Sequence, residues 1–313
     1  MEVQNRHTAA LMQNPSIVGT ATGLGPDGRL AVLVLTARPL GKGVLPAVLD
    51  GVPVVEEVTG IIRPFDSGAL HKVKQTPPVQ LGTSGGWRFD LANGFCCGGT
   101  LGSLVSKGGQ QYVLSNYHVL EADIVLGGNN RVAQSGDPVI QPGLIDVSCN
   151  QNNAQNVASL SGIKSLPSSN VDCAIAQVVS GMVRTDGSIL DIGTISSSTV
   201  AAALSQAVKK SGRTTGLTRS AVNGLNATVS VAYDNECAGG DAFTKTFTGQ
   251  ILVKNRNRGV SFISGGDSGS LMVEDVGSNP RSVGLLFAGS NQTAVANPIG
   301  QVLSFLGATM VGQ

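Results

Sequence analysis

The segment Ser264–Ser270, with the sequence SGGDSGS, constrains the fold of this chain more than any other stretch. Its glycines at 266 and 269 accept backbone conformations that are closed to residues with a Cβ atom. A tight turn of this kind directs successive backbone N–H groups at one point beside an exposed serine hydroxyl. That geometry suits a nucleophilic serine, because preorganised donors must stabilise the negative charge of a tetrahedral intermediate. Read alone, the segment is equally compatible with a surface loop rich in glycine and serine.

Histidine distinguishes these two interpretations, because an activated serine needs a base. The three histidines are His7, His71 and His118, and none of them follows Ser268. This order excludes the α/β-hydrolase fold, in which the histidine comes after the serine. His118 ends one apolar strand pattern and Asp172 begins another, so a base, an acid and a serine follow in that order. We expect the other two histidines to be surface residues.

Four short motifs resemble, in the same order, those of the trypsin-like serine proteases, which have the chymotrypsin fold. The motifs are CGGTL at 97–101, LSNYH at 114–118, VDCAI at 171–175 and GDSG at 266–269. The bacterial branch of the family includes alpha-lytic protease and the streptogrisins. Segments that resemble this branch are SGRTTG at 211–216, LNATV at 225–229 and the last strands over 281–299. The resemblance covers roughly residues 90–313.

The resemblance implies a serine endopeptidase that hydrolyses peptide bonds through an acyl-enzyme intermediate. It assigns the catalytic triad to His118, Asp172 and Ser268, and the oxyanion hole to the backbone N–H groups of Gly266 and Ser268. The partner that it implies is a protein or peptide substrate, and it implies no cofactor. We expect Asp267 to make a structural hydrogen bond.

The substrate pocket that the resemblance implies has Phe262 and Ser264 on one wall and Phe287, Ala288 and Gly289 on the other. Phe262 stands where trypsin carries an acid, so we expect cleavage after small or apolar side chains rather than after Lys or Arg. Phe287 stands where the family has a serine that hydrogen-bonds the catalytic aspartate. This departure leaves open a catalytically silent binding module. The residues before the protease leave open a self-processing enzyme that they regulate.

Composition and patterning predict a mainly β chain. The 313 residues include 42 glycines and carry a net charge of +1, which favours short strands and gives no argument for a nucleic-acid partner. We predict a small α/β N-terminal module over 1–62 and a linker rich in Pro and Gly over 63–90. Two antiparallel β-barrels of the chymotrypsin type then occupy 91–313, with a break near 180–205. Within the module we expect a strand hairpin over 17–37, a short helix over 45–49 and a strand over 52–58.

The five cysteines leave at least one thiol unpaired within the chain. No C-x-x-C pair is present, so we expect no metal site, and packed thiols or one or two disulfides both remain possible. Cys173 follows Asp172 on an apolar strand and should point into the core. Residues 1–14 lack the apolar run of a signal peptide, and no stretch is apolar enough to span a membrane. Together with the odd cysteine count, this favours a cytoplasmic, reducing location. The sequence does not predict the oligomeric state.

Overall fold

The computed structural model describes residues 1–58, 69–92, 94–121, 131–233, 243–257 and 260–313. The chain divides into two compact units, Met1–Phe65 and Asp66–Gln313. Every helix in the described ranges is too short or too polar to cross a bilayer.

The N-terminal unit is a four-stranded sheet with one helix. Its elements are the helix Glu2–Leu11 and the strands Ile17–Leu24, Leu30–Thr36, Val48–Leu49 and Val52–Val58. The first two strands form the expected antiparallel hairpin, and the second pairs in parallel with the fourth. The short helix expected over 45–49 is wrong, because Val48–Leu49 pairs with the start of the fourth strand. Asp50 and Gly51, at φ of 46° and 80°, make the tight two-residue turn between them, as Asp-Gly pairs favour.

The first half of the second unit is built on an eight-stranded antiparallel sheet. In spatial order its strands are Thr309–Met310, Ser103–Lys107, Gln110–Ser115, Ala174–Val178, Gln155–Leu160, Pro138–Gln141, Thr83–Trp87 and Gly99–Leu101. Apolar side chains from most of these strands fill one buried cluster, which includes Trp87, Val113 and Val157. The strand at the sheet edge comes from the far end of the chain, where Met310 pairs with Val105.

The second half is a closed six-stranded barrel. Its strands, in order around the barrel, are Ala207–Gly212, Gly216–Tyr233, Phe243–Lys254, Thr293–Pro298, Ser282–Gly289 and Leu271–Glu274. The fold class expected from the sequence, two antiparallel β-barrels preceded by a small α/β module, is therefore confirmed. The expected break near 180–205 lies between Ala174–Val178, a strand of the sheet, and Ala207–Gly212, the first strand of the barrel.

Short elements occupy the segments between the strands of both halves. In the described ranges, three two-stranded ribbons pair Leu91–Ala92 with Phe95–Cys96, Ser188–Ile189 with Gly193–Thr194, and Arg256–Asn257 with Val260–Ser261. The α-helices of this unit are Ala69–Lys72, Tyr117–Leu120 and Ile299–Leu306. Its 3-10 helices are Leu144–Val147 and Gln151–Asn153. The helix Ile299–Leu306 follows the last barrel strand, and residues 200–206 form a loop.

The linker expected over 63–90 is wrong for its second half. All five residues of the strand Thr83–Trp87 are buried, and Val79 and Leu81 belong to the same apolar cluster as the sheet. A Cβ added to Gly85 would lie 2.3 Å from Cγ of Leu101. The glycines in this stretch therefore allow two strands to pack closely and do not mark a flexible connection.

His71 also departs from the expectation of a surface residue. Its side chain is buried in the second unit, and its Nε2 lies 2.9 Å from Oγ of Ser211 and 3.4 Å from a carboxylate oxygen of Asp191. His7 lies on the N-terminal helix and contacts Asp50 at 2.9 Å, with part of its side chain exposed.

Candidate active site

The segment that carries His118 is fixed to Asp172 through its backbone. The strand Gln110–Ser115 leads into the short helix Tyr117–Leu120, and Asn116 between them donates a 2.7 Å hydrogen bond from Nδ2 to the Asp172 carbonyl. The backbone N–H groups of Tyr117 and His118 donate to Oδ1 of Asp172 at 2.7 and 3.3 Å. One carboxylate oxygen therefore holds the start of the helix in place.

The other carboxylate oxygen of Asp172 contacts the imidazole. Nδ1 of His118 lies 2.6 Å from Oδ2 of Asp172. The Asp172 side chain is fully buried, whereas the His118 side chain is 25% exposed. A carboxylate beside Nδ1 keeps the proton on that nitrogen, which leaves Nε2 able to accept a proton from a substrate or a nucleophile. The pair thus has the form of a general base with its orienting acid.

A tyrosine that the sequence did not indicate completes the surroundings of Asp172. The Tyr233 hydroxyl donates a 2.8 Å hydrogen bond to Oδ2 of Asp172, the oxygen that also faces His118. The backbone N–H of Asp172 donates to Oδ1 of Asn297, whose amide donates in turn to Gln250. The carboxylate accepts four hydrogen bonds in all, which offsets the cost of burying its charge.

Ser268 lies in the tight turn that the sequence predicted. Gly266 and Gly269 both have φ of 91°, in the region that favours glycine. Within the described residues, the backbone N–H groups of Gly266 and Ser268 donate to no acceptor, whereas that of Gly269 donates to the Leu286 carbonyl. These two N–H groups belong to residues two positions apart in one tight turn, which is the arrangement of an oxyanion hole.

Asp267 anchors this turn from below, as expected of a structural hydrogen-bonding residue. Its carboxylate accepts hydrogen bonds from the backbone N–H groups of Ser264, Thr214 and Thr215, and from the Thr215 hydroxyl. The ammonium group of Lys210 lies 3.6 Å from the same carboxylate, and both side chains are fully buried. The turn is therefore tied to the first strand of the barrel and to the loop that follows it.

Close backbone packing brings the Ser268 turn against the His118 segment. The Thr100 backbone N–H donates a 2.8 Å hydrogen bond to the Ser268 carbonyl. A Cβ added to Gly99 would lie 2.5 Å from Val119 and 3.0 Å from the Ser268 carbonyl oxygen, so Gly99 lies directly between the two segments. A Cβ on Gly269 would meet Oγ of Ser115 at 2.2 Å. The segments that carry the three predicted catalytic residues therefore adjoin one another.

A cavity of about 290 Å³ opens beside Ser268. The residues that line it are Asn255, Ser261, Ile263, Ser264, Gly265, Ser268, Ala288, Gly289, Ser290 and Asn291. Three of the five predicted pocket residues, Ser264, Ala288 and Gly289, are among them. None of these lining residues carries a charge.

The other two predicted pocket residues are buried in the core instead. Phe262 is 1% exposed and belongs to the apolar cluster of the barrel. Phe287 is 3% exposed, and its ring lies 4.9 Å from that of Phe247. The prediction is wrong for both, because each side chain packs into apolar surroundings while its neighbours in sequence face the cavity.

The cysteines are divided between disulfides and a core thiol. Cys96 and Cys149 form a disulfide, and Cys97 is also disulfide-bonded. Cys173 is free and buried as predicted, and its burial raises the pKa of its thiol. Cys237 lies outside the described residues. The described residues contain no group of three His, Cys, Asp or Glu side chains placed to hold a metal ion.

Several solved structures are similar to this chain. A glutamic acid specific serine protease is 19% identical with a TM-score of 0.49, over 74% of this chain and 100% of its own. Protease A of Thermobifida fusca is 18% identical with a TM-score of 0.49, over 75% and 99%. An alpha-lytic protease homologue is 17% identical with a TM-score of 0.44, over 68% and 92%. These are bacterial serine proteases of the chymotrypsin fold, the group that the sequence motifs resemble. No family model and no curated protein sequence matches the chain.

Proposed function

We propose that the second unit is a serine endopeptidase. The observation that supports this most directly is the 2.6 Å contact between His118 Nδ1 and the buried carboxylate of Asp172, on a segment that packs against the Ser268 turn. A base oriented in this way beside a serine on a turn with unpaired N–H groups has one established use, which is acyl transfer.

In the proposed mechanism His118 accepts the proton of the Ser268 hydroxyl as Oγ attacks the substrate carbonyl. Asp172 remains ionised and stabilises the imidazolium. The N–H groups of Gly266 and Ser268 bind the oxyanion, and each such donor contributes about 10²–10³ to the rate. His118 then donates its proton to the leaving amine, and water repeats the sequence on the acyl-enzyme.

The cavity supports a preference for uncharged side chains. Its walls expose hydroxyl, amide and small aliphatic groups, and no carboxylate is present among them to pair with Lys or Arg. Asn255 fixes the width of the cavity, because its Nδ2 donates to the Ser290 carbonyl while its Oδ1 accepts from the Ile263 N–H. We expect a peptide library to show cleavage after small or apolar residues. Preferred cleavage after Lys, Arg, Asp or Glu would contradict this.

A fluorophosphonate probe tests the proposed function directly. We expect one adduct by intact mass on the wild type and on Ser304→Ala, an exposed serine in the helix Ile299–Leu306. Ser268→Ala should give no adduct, and His118→Ala should react far more slowly. An unmodified wild type with a folded circular dichroism spectrum would instead support the silent binding module. An adduct that persists in Ser268→Ala would assign the reactivity to another serine.

The self-processing alternative predicts a change of mass without added substrate. Intact mass after storage should then fall in the wild type and stay constant in Ser268→Ala. Constant mass in both proteins would leave proteolysis of other chains as the proposed activity.

A further inference from the structure

Tyr233 lies against Asp172 and His118, although none of the sequence motifs includes it. It ends the strand Gly216–Tyr233 and is 7% exposed. Its ring stacks on Phe243 at 5.0 Å between centroids and meets the His118 ring edge-on at 5.7 Å. Aromatic contacts of this geometry hold a ring in one orientation. These ring contacts therefore restrain the phenol independently of the hydrogen bond that its hydroxyl makes.

The hydroxyl of this fixed ring reaches the central carboxylate of the site. It donates to Oδ2 of Asp172 at 2.8 Å, and His118 Nδ1 contacts the same oxygen at 2.6 Å. A hydrogen bond to an ionised acceptor is about twice as strong as one between neutral groups. Phe287, at the position where the resemblance places a serine for this purpose, has no hydroxyl to offer.

We propose that Tyr233 is a positioning residue, which holds Asp172 by its hydroxyl and packs against the imidazole edge so that both stay aligned toward Ser268. This inference rests on the proposed function. The carboxylate is then restrained on both sides: the backbone of the His118 helix binds Oδ1, and the barrel strand binds Oδ2 through the phenol. The acid comes from one half of the unit, and one of its two restraints comes from the other half.

Sharing one oxygen between two donors also has an electrostatic consequence. The phenol withdraws part of the negative charge that faces His118, so loss of the hydroxyl leaves a stronger charge beside the imidazole. A stronger charge favours the imidazolium, which moves the titration of His118 to higher pH. The other titratable groups around this region are Tyr117 on the His118 helix, Glu121 directly after that helix, Cys173 beside Asp172, and Lys245 over the Phe247 ring.

Tyr233→Phe tests the proposal, because it removes the hydroxyl and keeps the ring. We expect kcat to fall ~10- to ~100-fold with little change in KM, the size expected for a lost hydrogen bond to a charged group. The acid limb of the kcat/KM profile should move up by roughly half a pH unit or more. Tyr112→Phe is the matched control, since the described residues give the Tyr112 hydroxyl no hydrogen-bond partner. It should leave kcat and the pH profile unchanged.

Two further measurements keep the result interpretable. Histidine NMR titration reports on His118 without turnover, and the chain has only three histidines to assign; the His118 signal should titrate at higher pH in Tyr233→Phe. Glu121→Gln identifies any part of the acid limb that belongs to Glu121. If the wild type reacts with fluorophosphonate and Tyr233→Phe matches it in rate, pH profile and NMR titration, the inference is wrong while the proposed function stands. If the wild type does not react, the proposed function itself fails.

Discussion

Nζ of Lys210 lies 3.6 Å from Oδ1 of Asp267, and neither side chain is exposed. The ammonium group also donates hydrogen bonds to the Thr215 hydroxyl and the Gly216 carbonyl. Burial nevertheless lowers the pKa of Lys210 to about 8 from 10.5, although the attraction of Asp267 acts in the opposite direction. The ammonium form of Lys210, next to the Ser268 turn, is therefore less favourable in the folded barrel than in water.

This cost predicts a rise in stability at alkaline pH. Between about pH 8 and pH 10.5 the unfolded chain keeps the Lys210 proton and the folded chain has lost it, so the free energy of unfolding rises with pH. The full rise is on the order of 3 kcal/mol. Urea denaturation across this range should show it in the wild type and in Lys209→Met, whose amine binds a backbone carbonyl. Lys210→Met should lack it, and parallel curves for all three proteins would contradict the assignment.

Glu121 predicts the opposite slope in a more acidic range. Burial raises the pKa of this carboxyl to about 7 from 4.5, with partial relief from Lys164. The folded chain binds the proton more tightly, so the free energy of unfolding falls as pH rises from 4.5 to 7, by on the order of 3 kcal/mol. Glu121→Gln should flatten this fall and be more stable than the wild type at pH 7.5. Glu274→Gln, which loses a surface pair with Arg281, should keep the fall. An unchanged fall in Glu121→Gln would show that another group causes it.

Asp172→Asn should nearly abolish the proposed activity without unfolding the protein. An asparagine amide can donate where the carboxylate accepts, so the His118 proton would move from Nδ1 to Nε2, which could then no longer accept the proton of Ser268. We expect kcat to fall by about 10³–10⁴. Fluorophosphonate labelling rates, measured beside the exposed control Asp186→Asn, provide the readout. Labelling at the wild-type rate would remove Asp172 from the mechanism.

The Cys96–Cys149 disulfide should contribute substantially to stability. It joins residues 53 positions apart, and a closed loop of that length contributes about 4 kcal/mol through the entropy of the unfolded chain. The double variant Cys96→Ala/Cys149→Ala should lose about this much free energy of unfolding in urea. Comparing both proteins with and without a reductant separates this bond from the disulfide of Cys97. A loss below about 1 kcal/mol would show that the native contacts alone hold this loop.

The sequence predicted the parts of the site that depend on local chemistry. A Gly-Asp-Ser-Gly turn and a histidine after an apolar strand are short patterns, and their order along the chain restricts the fold. Tyr233 and Lys210 could not be predicted in this way. Each reaches its carboxylate across many residues of sequence, and each lies in a strand whose alternating pattern explains it equally well as a packed residue. Their roles follow only from the pairing of strands in three dimensions.

The predictions that the structure contradicts also have physical explanations. Phe262 and Phe287 were assigned to the pocket by position, but successive residues of an extended chain face opposite sides, so Ile263 and Ala288 line the cavity instead. The glycines before Trp87 were interpreted as breaks. Glycine also permits close contact between strands, and composition does not distinguish the two uses. The burial of His71 is not predictable from the sequence, because its partner Ser211 is remote along the chain.

The edge strand Thr309–Met310 determines the order in which the sheet and the barrel can be completed during synthesis. It pairs with Ser103–Lys107, a strand that leaves the ribosome long before it does. The Val311 N–H donates to the Leu104 carbonyl on the same edge. The sheet that carries His118 therefore keeps an open edge until residues 309–311 have been synthesised. The closed barrel, whose last strand in sequence ends at Pro298, can form before the sheet that precedes it, and a chain interrupted between these two points would leave the defect in the half that was made first.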